Sequence, residues 1–134
     1  MKINPELFRG YNVRGIYPKE VNEELFEKIG QALARLLKKG KVVVGYDARL
    51  SSPQLYQAVI KGLQAAGHKL RLLEAGFVTT PMLYFLVGHL KAAGGVNITA
   101  SHNPKEYNGL KIMEKDAKPI HAAKILKMMK KKYE

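Results

Sequence analysis

The sequence predicts an α/β fold: a three-layer α/β/α sandwich whose mixed, mainly parallel, four-stranded sheet carries helices on both faces. Three observations support this. Short β-branched runs alternate with longer stretches of helical apolar spacing. The connections between them are tight, as crossover units between parallel strands require. Hydroxyl-proline pairs, Ser52-Pro53 and Thr80-Pro81, stand where two of the helices should begin. The 134 residues read as one domain, 1–134, long enough to bury roughly two-thirds of the unfolded surface.

Taken in order, FRGYNVRGIY (8–17) has two glycines, two arginines and no clean period. It reads either as an edge strand or as a loop laid across the sheet. Asn22 can cap a helix whose first turn carries Glu23 and Glu24, favourable at the positive end of the helix dipole. Leu25, Phe26, Ile29, Leu33, Leu36 and Leu37 line its buried face, and Gly40 is expected to end it. KVVVGYD (41–47) is a strand suited to burial on both faces. The helix after Ser52-Pro53 continues through Tyr56, Val59, Ile60 and Leu63 to Gly67. LRLLEA, MLYFLVGHL, GGVNIT and GLKIM then read as strand, helix, strand and a fourth strand. The tail KILKMMKKKYE places Ile125, Leu126, Met129 and Tyr133 at helical spacing, so its lysines should face water.

The chain has no cysteine, which excludes disulfides and thiolate chemistry and fits a reducing cytoplasm. No apolar run approaches the roughly 20 residues of a membrane helix, and MKINPELFRG lacks the apolar core of a signal peptide. A cytoplasmic protein without a membrane partner is expected. The net charge of +12 admits a solvated basic face, steering of phosphorylated substrates, or nucleic-acid binding. The aromatics are scattered without an RNA-binding pattern, so nucleic acid is not the expected partner.

In open α/β sheets ligands bind beyond the carboxyl ends of the strands. Three polar loops fall there: Asp47 to Ser51, Gly76 to Thr80, and Thr99 to Pro104, with Ser101 and His102 at the tip of the last. There is no G-x-S-x-G elbow for a serine hydrolase, no phosphate-binding Walker loop and no G-x-G-x-x-G. The histidines (His68, His89, His102, His121) are far apart, and the only aspartates are Asp47 and Asp116, which argues against a complete metal site. Taken alone, SHNP also reads as a polar turn, and Lys111 as an exposed strand lysine.

Four segments together go further. TASHNP (99–104), YNGLKI (107–112), FRGYNVRG (8–15) and VVVGYDARLSSP (42–53) stand in order and at sensible spacing. Together they resemble the α-D-phosphohexomutases, the phosphoglucomutases and phosphomannomutases. The resemblance covers nearly the whole chain and implies that Ser101 carries a phosphoryl group exchanged with a hexose 1- or 6-phosphate through a bisphosphorylated sugar. It implies that Lys111 and Arg14 stabilise the transferring group and bind substrate, with Lys111 also moving the hydroxyl proton. His102 is implied as a helper in proton transfer, and Tyr11 as a residue near the sugar. Asp47 and Arg49 would buttress the loop, and Asn103 and Asn108 would shape it.

The family has four domains, and this sequence matches the first. The aspartate-rich Mg²⁺ loop of the second domain, the sugar-selecting loop of the third and the phosphate anchor of the fourth have no counterpart here. The expected metal contribution is therefore Ser101 through its phosphate alone. The expectation is an N-terminal catalytic-serine domain, inactive without domains II–IV, its hexose phosphates shared with those missing domains. The alternative is a stand-alone module that self-associates through an uncovered interdomain face, or binds anions or RNA.

Overall fold

The computed structural model describes residues 2–65, 67 and 69–133, the last three as backbone alone. His68 and the side chain of Tyr133, both singled out above, lie outside the described residues. The strands are β1 (Phe8–Arg9), β2 (Asn12–Ile16), β3 (Gly40–Tyr46), β4 (Leu70–Phe77), β5 (Gly94–Ile98), β6 (Tyr107–Glu114) and β7 (Lys118–Pro119). The helices are α1 (Glu23–Leu37), α2 (Ser52–Gln64), α3 (Thr80–His89) and α4 (Ala122–Tyr133). All seven strands form one sheet in the order β1-β2-β6-β5-β3-β4, with β7 paired to β6.

The α/β class and the helices on both faces agree with the sequence. The strand count does not: among the described residues seven strands replace the expected four, and parallel pairing is confined to β5-β3-β4. Helical crossovers join those three strands. A loop without a helix joins β5 to β6, so that pair runs antiparallel, as do β6-β2, β2-β1 and β6-β7. The ambiguous FRGYNVRGIY segment is a hairpin. Its two strands are too short to show a period, and Gly10 at the turn has φ +55°.

From β3 the chain steps outward to β4 and then back past β3 to β5. Right-handed crossovers in opposite directions put their helices on opposite faces. Accordingly Val42 and Val44 join the larger core with α1, α2 and α4, while Val43 points to the other face and packs with Leu83 and Val87 of α3. α4 buries Ile125 and Met129 and leaves Lys124, Lys127 and Lys130 in water, as its spacing predicted. The backbone carbonyl of its Met128 also accepts a hydrogen bond from Arg35 of α1.

Two helix boundaries differ from expectation. Asn22 caps α1 through its side chain as predicted, but the helix stops at Leu37, with Lys38 at φ 69° taking the left-handed position; Gly40 opens β3 instead. The residues that begin α2 and α3 each fall one place earlier than expected, Thr79 capping α3 through its hydroxyl and Ser51 preceding α2 without a side-chain capping bond, with proline in the first turn of both. This releases the second hydroxyl of each pair: Ser52 bonds Asp47, and Thr80 accepts a hydrogen bond from Asn97.

α1 and α2 touch at two glycines. A Cβ on Gly62 would lie 2.0 Å from the backbone oxygen of Glu27, and one on Gly30 would lie 2.5 Å from that of Val59. In α3, by contrast, a Cβ on Gly88 meets nothing within 4 Å. Alanine gains about 1 kcal/mol of helix propensity over glycine, whereas overpacking against backbone costs about 1–3 kcal/mol. The clash should therefore decide the sign. In urea unfolding, Gly62→Ala is expected to lose about 2 kcal/mol, and Gly88→Ala to gain up to about 1 kcal/mol. Equal midpoints for the two variants would contradict this packing.

Candidate active site at the carboxyl edge of the sheet

The strand order reverses at β3, so the crevice for a ligand lies where the carboxyl ends of β3 and β5 stand side by side. The backbones are stitched there: Asp47 N–H donates to Ile98 O at 3.0 Å, and Thr99 N–H donates to Gly109 O at 2.9 Å. The buried polar side chains Ser52, Asn97, Thr99 and Asn108 gather at this edge, although polar groups are generally excluded from a core unless they are bonded.

Ser101 occupies the first corner of a turn closed by Asn103 N–H donating to Ala100 O at 3.1 Å. Its φ of 58° is left-handed, which costs a non-glycine residue about 1–2 kcal/mol. Three hydrogen bonds at the turn offset that strain. Ser101 N–H donates to Thr99 Oγ1 at 3.0 Å, and Arg49 Nη2 donates to Ser101 O at 3.0 Å and to Asn103 O at 2.7 Å. The result is an exposed serine on a rigid backbone. Its Oγ lies 3.4 Å from His102 Nδ1, the outer limit of a hydrogen bond.

Arg49 holds the loop as a whole. Its Nη1 donates to Pro104 O at 2.7 Å and to Tyr107 O at 3.0 Å, and its Nε pairs with Asp47 Oδ2 at 3.4 Å. Asp47 is anchored in turn: its Oδ1 accepts from Arg49 N–H at 3.1 Å and from Ser52 Oγ at 2.6 Å. Asn108 closes the network by donating to Ser51 Oγ at 2.8 Å and to Ser52 Oγ at 3.0 Å, while its own oxygen accepts from Gly109 N–H. Asp47, Arg49 and Asn108 are thus built into the frame of the loop. Ser51 and Ser52 belong to that frame too. By its place before Pro53 Ser52 marks a helix start, and the doubled hydroxyl there is the sequence signal of its second task.

Arg14 reaches the loop from β2, its Nη1 donating to Asn103 Oδ1 at 3.0 Å. Lys111 stands on the same side of the sheet. Arg14 pairs with Gly109, and Lys111 pairs with Asn12 and Asn97. Directly paired residues share a face, and the period of two brings Arg14 and Lys111 together on it. Lys111 sits two residues deeper than Gly109, about 7 Å along the strand. Tyr11 stands apart, half exposed at the β1-β2 turn, its ring edge-on to that of His121 at 5.4 Å. Among the ionisable groups of this framework, burial pushes the Tyr56 phenol up, although its oxygen accepts from Gly76 N–H beside it.

Residues 5–134 match the family model described as phosphoglucomutase/phosphomannomutase, alpha/beta/alpha domain I. A phosphohexose mutase of Xanthomonas campestris is 49% identical over 113 residues, which cover 84% of this chain and 25% of that protein. A phosphomannomutase of Klebsiella pneumoniae is 44% identical over 84% of this chain and 71% of its own length. Among solved structures, a phosphoglucomutase/phosphomannomutase family protein from Burkholderia thailandensis superposes with a TM-score of 0.87 at 27% identity. That match covers 98% of this chain and 31% of the other. A putative phosphomannomutase from Thermus thermophilus gives 0.83 at 35% identity, over 96% and 30%. The chain spans about a quarter of the Xanthomonas relative's length.

The Arg49 network makes a mechanical prediction. Lysine keeps the charge at position 49 but cannot reach four carbonyls at once. Arg49→Lys should cost about 2–3 kcal/mol, the worth of charge-assisted bonds lost to a part-buried loop. Amide exchange should accelerate selectively across residues 101–107. Unchanged protection there would show that the loop holds itself.

Proposed function

This chain belongs to the phosphoglucomutase/phosphomannomutase family, matching its domain I, and from that premise we propose that it carries the phosphoserine half of a hexose-phosphate mutase site. The observation that supports the reading most directly is Ser101: exposed, left-handed, and held by Arg49 two residues from the Asn103 that Arg14 grips. A phosphoryl group on Ser101 adds about −1.5 to −2 charge at neutral pH. Arg14 and Lys111 provide cations on the adjoining sheet face, and phosphoryl transfer depends mainly on positioning and such electrostatic stabilisation.

In the proposed step a hydroxyl of a hexose 1- or 6-phosphate attacks the phosphorus, the bond from phosphorus to Ser101 Oγ breaks, and a bisphosphorylated sugar forms. The Lys111 ammonium hands a proton to the departing Ser101 Oγ, and the proton of the attacking hydroxyl passes through His102 to replace it, so that Lys111 ends cationic and Ser101 ends as a hydroxyl. After the sugar reorients, the same events in reverse return its other phosphoryl group to Ser101. The rigid loop matters because the serine must meet two different sugar oxygens without moving itself.

A family mutase is expected to use Mg²⁺. Among the described residues no three His, Asp or Glu side chains gather to hold an ion. The carboxylate of Asp47 is engaged by Arg49 and Ser52. These residues do not fit a complete Mg²⁺ site, so phosphate oxygens on Ser101 would be this chain's contribution and no step is derived through the metal. The rest of the site is assigned to further domains of a longer mutase, without which turnover should be slow.

A second reading, a self-associating module, is favoured by one observation: Met82 and Phe85, one turn apart on α3, are 51% and 61% exposed. Sedimentation at two concentrations tests it, and a concentration-independent monomer rules it out.

For the main reading, incubation with glucose 1,6-bisphosphate should add one phosphate to the intact mass, and Ser101→Ala should abolish the gain. Arg14→Gln and Lys111→Gln should each slow loading by about a hundredfold to a thousandfold, the range for removing one donor to a developing charge. Phosphate gained equally by Ser101→Ala would overturn the assignment of the acceptor.

A further inference from the structure

The β1-β2 hairpin lies at the edge of the sheet, and α4 holds its tip. Gly10, at the turn with φ +55°, accepts a hydrogen bond from Ala122 N–H at 2.7 Å. Phe8 of β1 shares one core with Ile125 and Met129 of the same helix. The next side chain in the turn, Tyr11, is 54% exposed and meets the ring of His121 edge-on. The centroids are 5.4 Å apart and the planes cross at 68°, within the roughly 4.5–7 Å and tilted geometry that aromatic pairs favour. A main-chain bond thus fixes the turn, and one ring contact fixes the side chain it carries.

Three observations give His121 a task beyond starting α4. It immediately precedes the helix, and its Nδ1 accepts from Ala123 N–H at 3.3 Å, so its proton sits on Nε2 and its ring is oriented. Serine, threonine, aspartate and asparagine are the side chains favoured in that place, and capping alone leaves the choice of an imidazole unexplained. Second, a cavity of about 490 Å³ opens beside the pair, bounded by the turn, by Pro119 of β7 and by Lys124 of α4. It gives the Tyr11 phenol room for other rotamers, so the contact with His121 decides which one is kept. Among the described residues Tyr11 has no second ring contact and no side-chain hydrogen bond. Third, Tyr11 directly precedes Asn12, whose partner in β6 is Lys111. The phenol therefore borders the sheet face that carries Lys111 and Arg14, and among the described residues no helix packs over β1 and β2 on that side.

We propose that His121 is a positioning residue for the sugar: its ring holds the Tyr11 phenol toward a hexose lying over the open face, and its Nδ1 ties that ring to the start of α4. The proposal rests on the phosphoserine reading, which puts a hexose phosphate on this face, and deepens it. A phenol offers the sugar an apolar ring for its C–H groups and a hydroxyl for its oxygens. Keeping that phenol in one rotamer before the sugar arrives lowers the ordering cost of binding. The contact is to the sugar and not to the phosphoryl group in transfer. It therefore acts on affinity and leaves the chemical step alone.

The test follows Ser101 loading of the whole chain by intact mass over a range of glucose 1,6-bisphosphate concentrations, which separates half-saturation from maximal rate. His121→Asn keeps a capping oxygen for Ala123 N–H and removes the ring. It should raise half-saturation by about threefold to tenfold, the worth of one aromatic pair, at an unchanged maximal rate. His121→Phe keeps a ring and removes the acceptor. It should leave half-saturation unchanged and lower Tm by about 3–5 °C, the loss of one cap. Tyr11→Ala should raise half-saturation at least as far as His121→Asn, and combining the two should add nothing. Thermal unfolding confirms that each variant folds. While the unsubstituted chain loads, three results overturn the inference alone: half-saturation unchanged in His121→Asn, raised equally in His121→Phe, or raised further in the double variant. An unsubstituted chain that never loads Ser101 overturns it together with the reading beneath it.

Discussion

One guanidinium holds the loop on which the rest of the site is built. Arg49 directs its Nη donors to the carbonyls of Ser101, Asn103, Pro104 and Tyr107 and turns its Nε to Asp47. A loop between antiparallel strands has no ladder to satisfy its carbonyls, and buried or half-buried carbonyls left unpaired are costly. Arg49 supplies the missing ladder from the side. It can do so because Asp47 sits at the end of β3, Ser52 opens α2, and β3 adjoins β5. Removing the arginine would release four carbonyls and leave the left-handed turn at Ser101 without its main restraint.

This constraint links the fold to the chemistry. A parallel β5-β3-β4 unit with helices on alternate faces provides the switch point, and the antiparallel β6-β2-β1 extension provides a second wall carrying Arg14 and Lys111. The two halves of the sheet do different work. In the parallel half β3 and β5 are buried on both faces, while β4 is a partly exposed edge strand. The antiparallel half is covered on one side and open on the other, as antiparallel sheets permit, and its open side carries the cations.

The alternation of strands and helices, the apolar stripes of α1 and α4 and the helix starts near Asn22, Ser51 and Thr79 were legible because each depends on residues close in sequence. The hairpin at residues 8–16 was not, because its strands are stabilised by β6, nearly a hundred residues away. The cap positions missed by one residue for the same kind of reason. Ser52 and Thr80 are drawn off by Asp47 and Asn97, partners that no local pattern reveals. Of the candidate site residues, Asp47, Arg49, Asn103, Asn108 and Arg14 join the Ser101 loop by hydrogen bonds. Lys111 shares the face of Arg14, and Tyr11 stands against His121.

By itself the sequence determined the class of fold, the buried stripes of α1, α2 and α4 and which short segments carry unusual chemistry, since helix faces and starts are written in the spacing of neighbouring side chains. The tertiary structure alone decided that Arg49 grips the serine loop and that Arg14 and Lys111 face the same way. Those facts follow from strand register and sheet order, which are set by pairing between distant segments, and a shift of one residue in that pairing would turn each side chain to the other side.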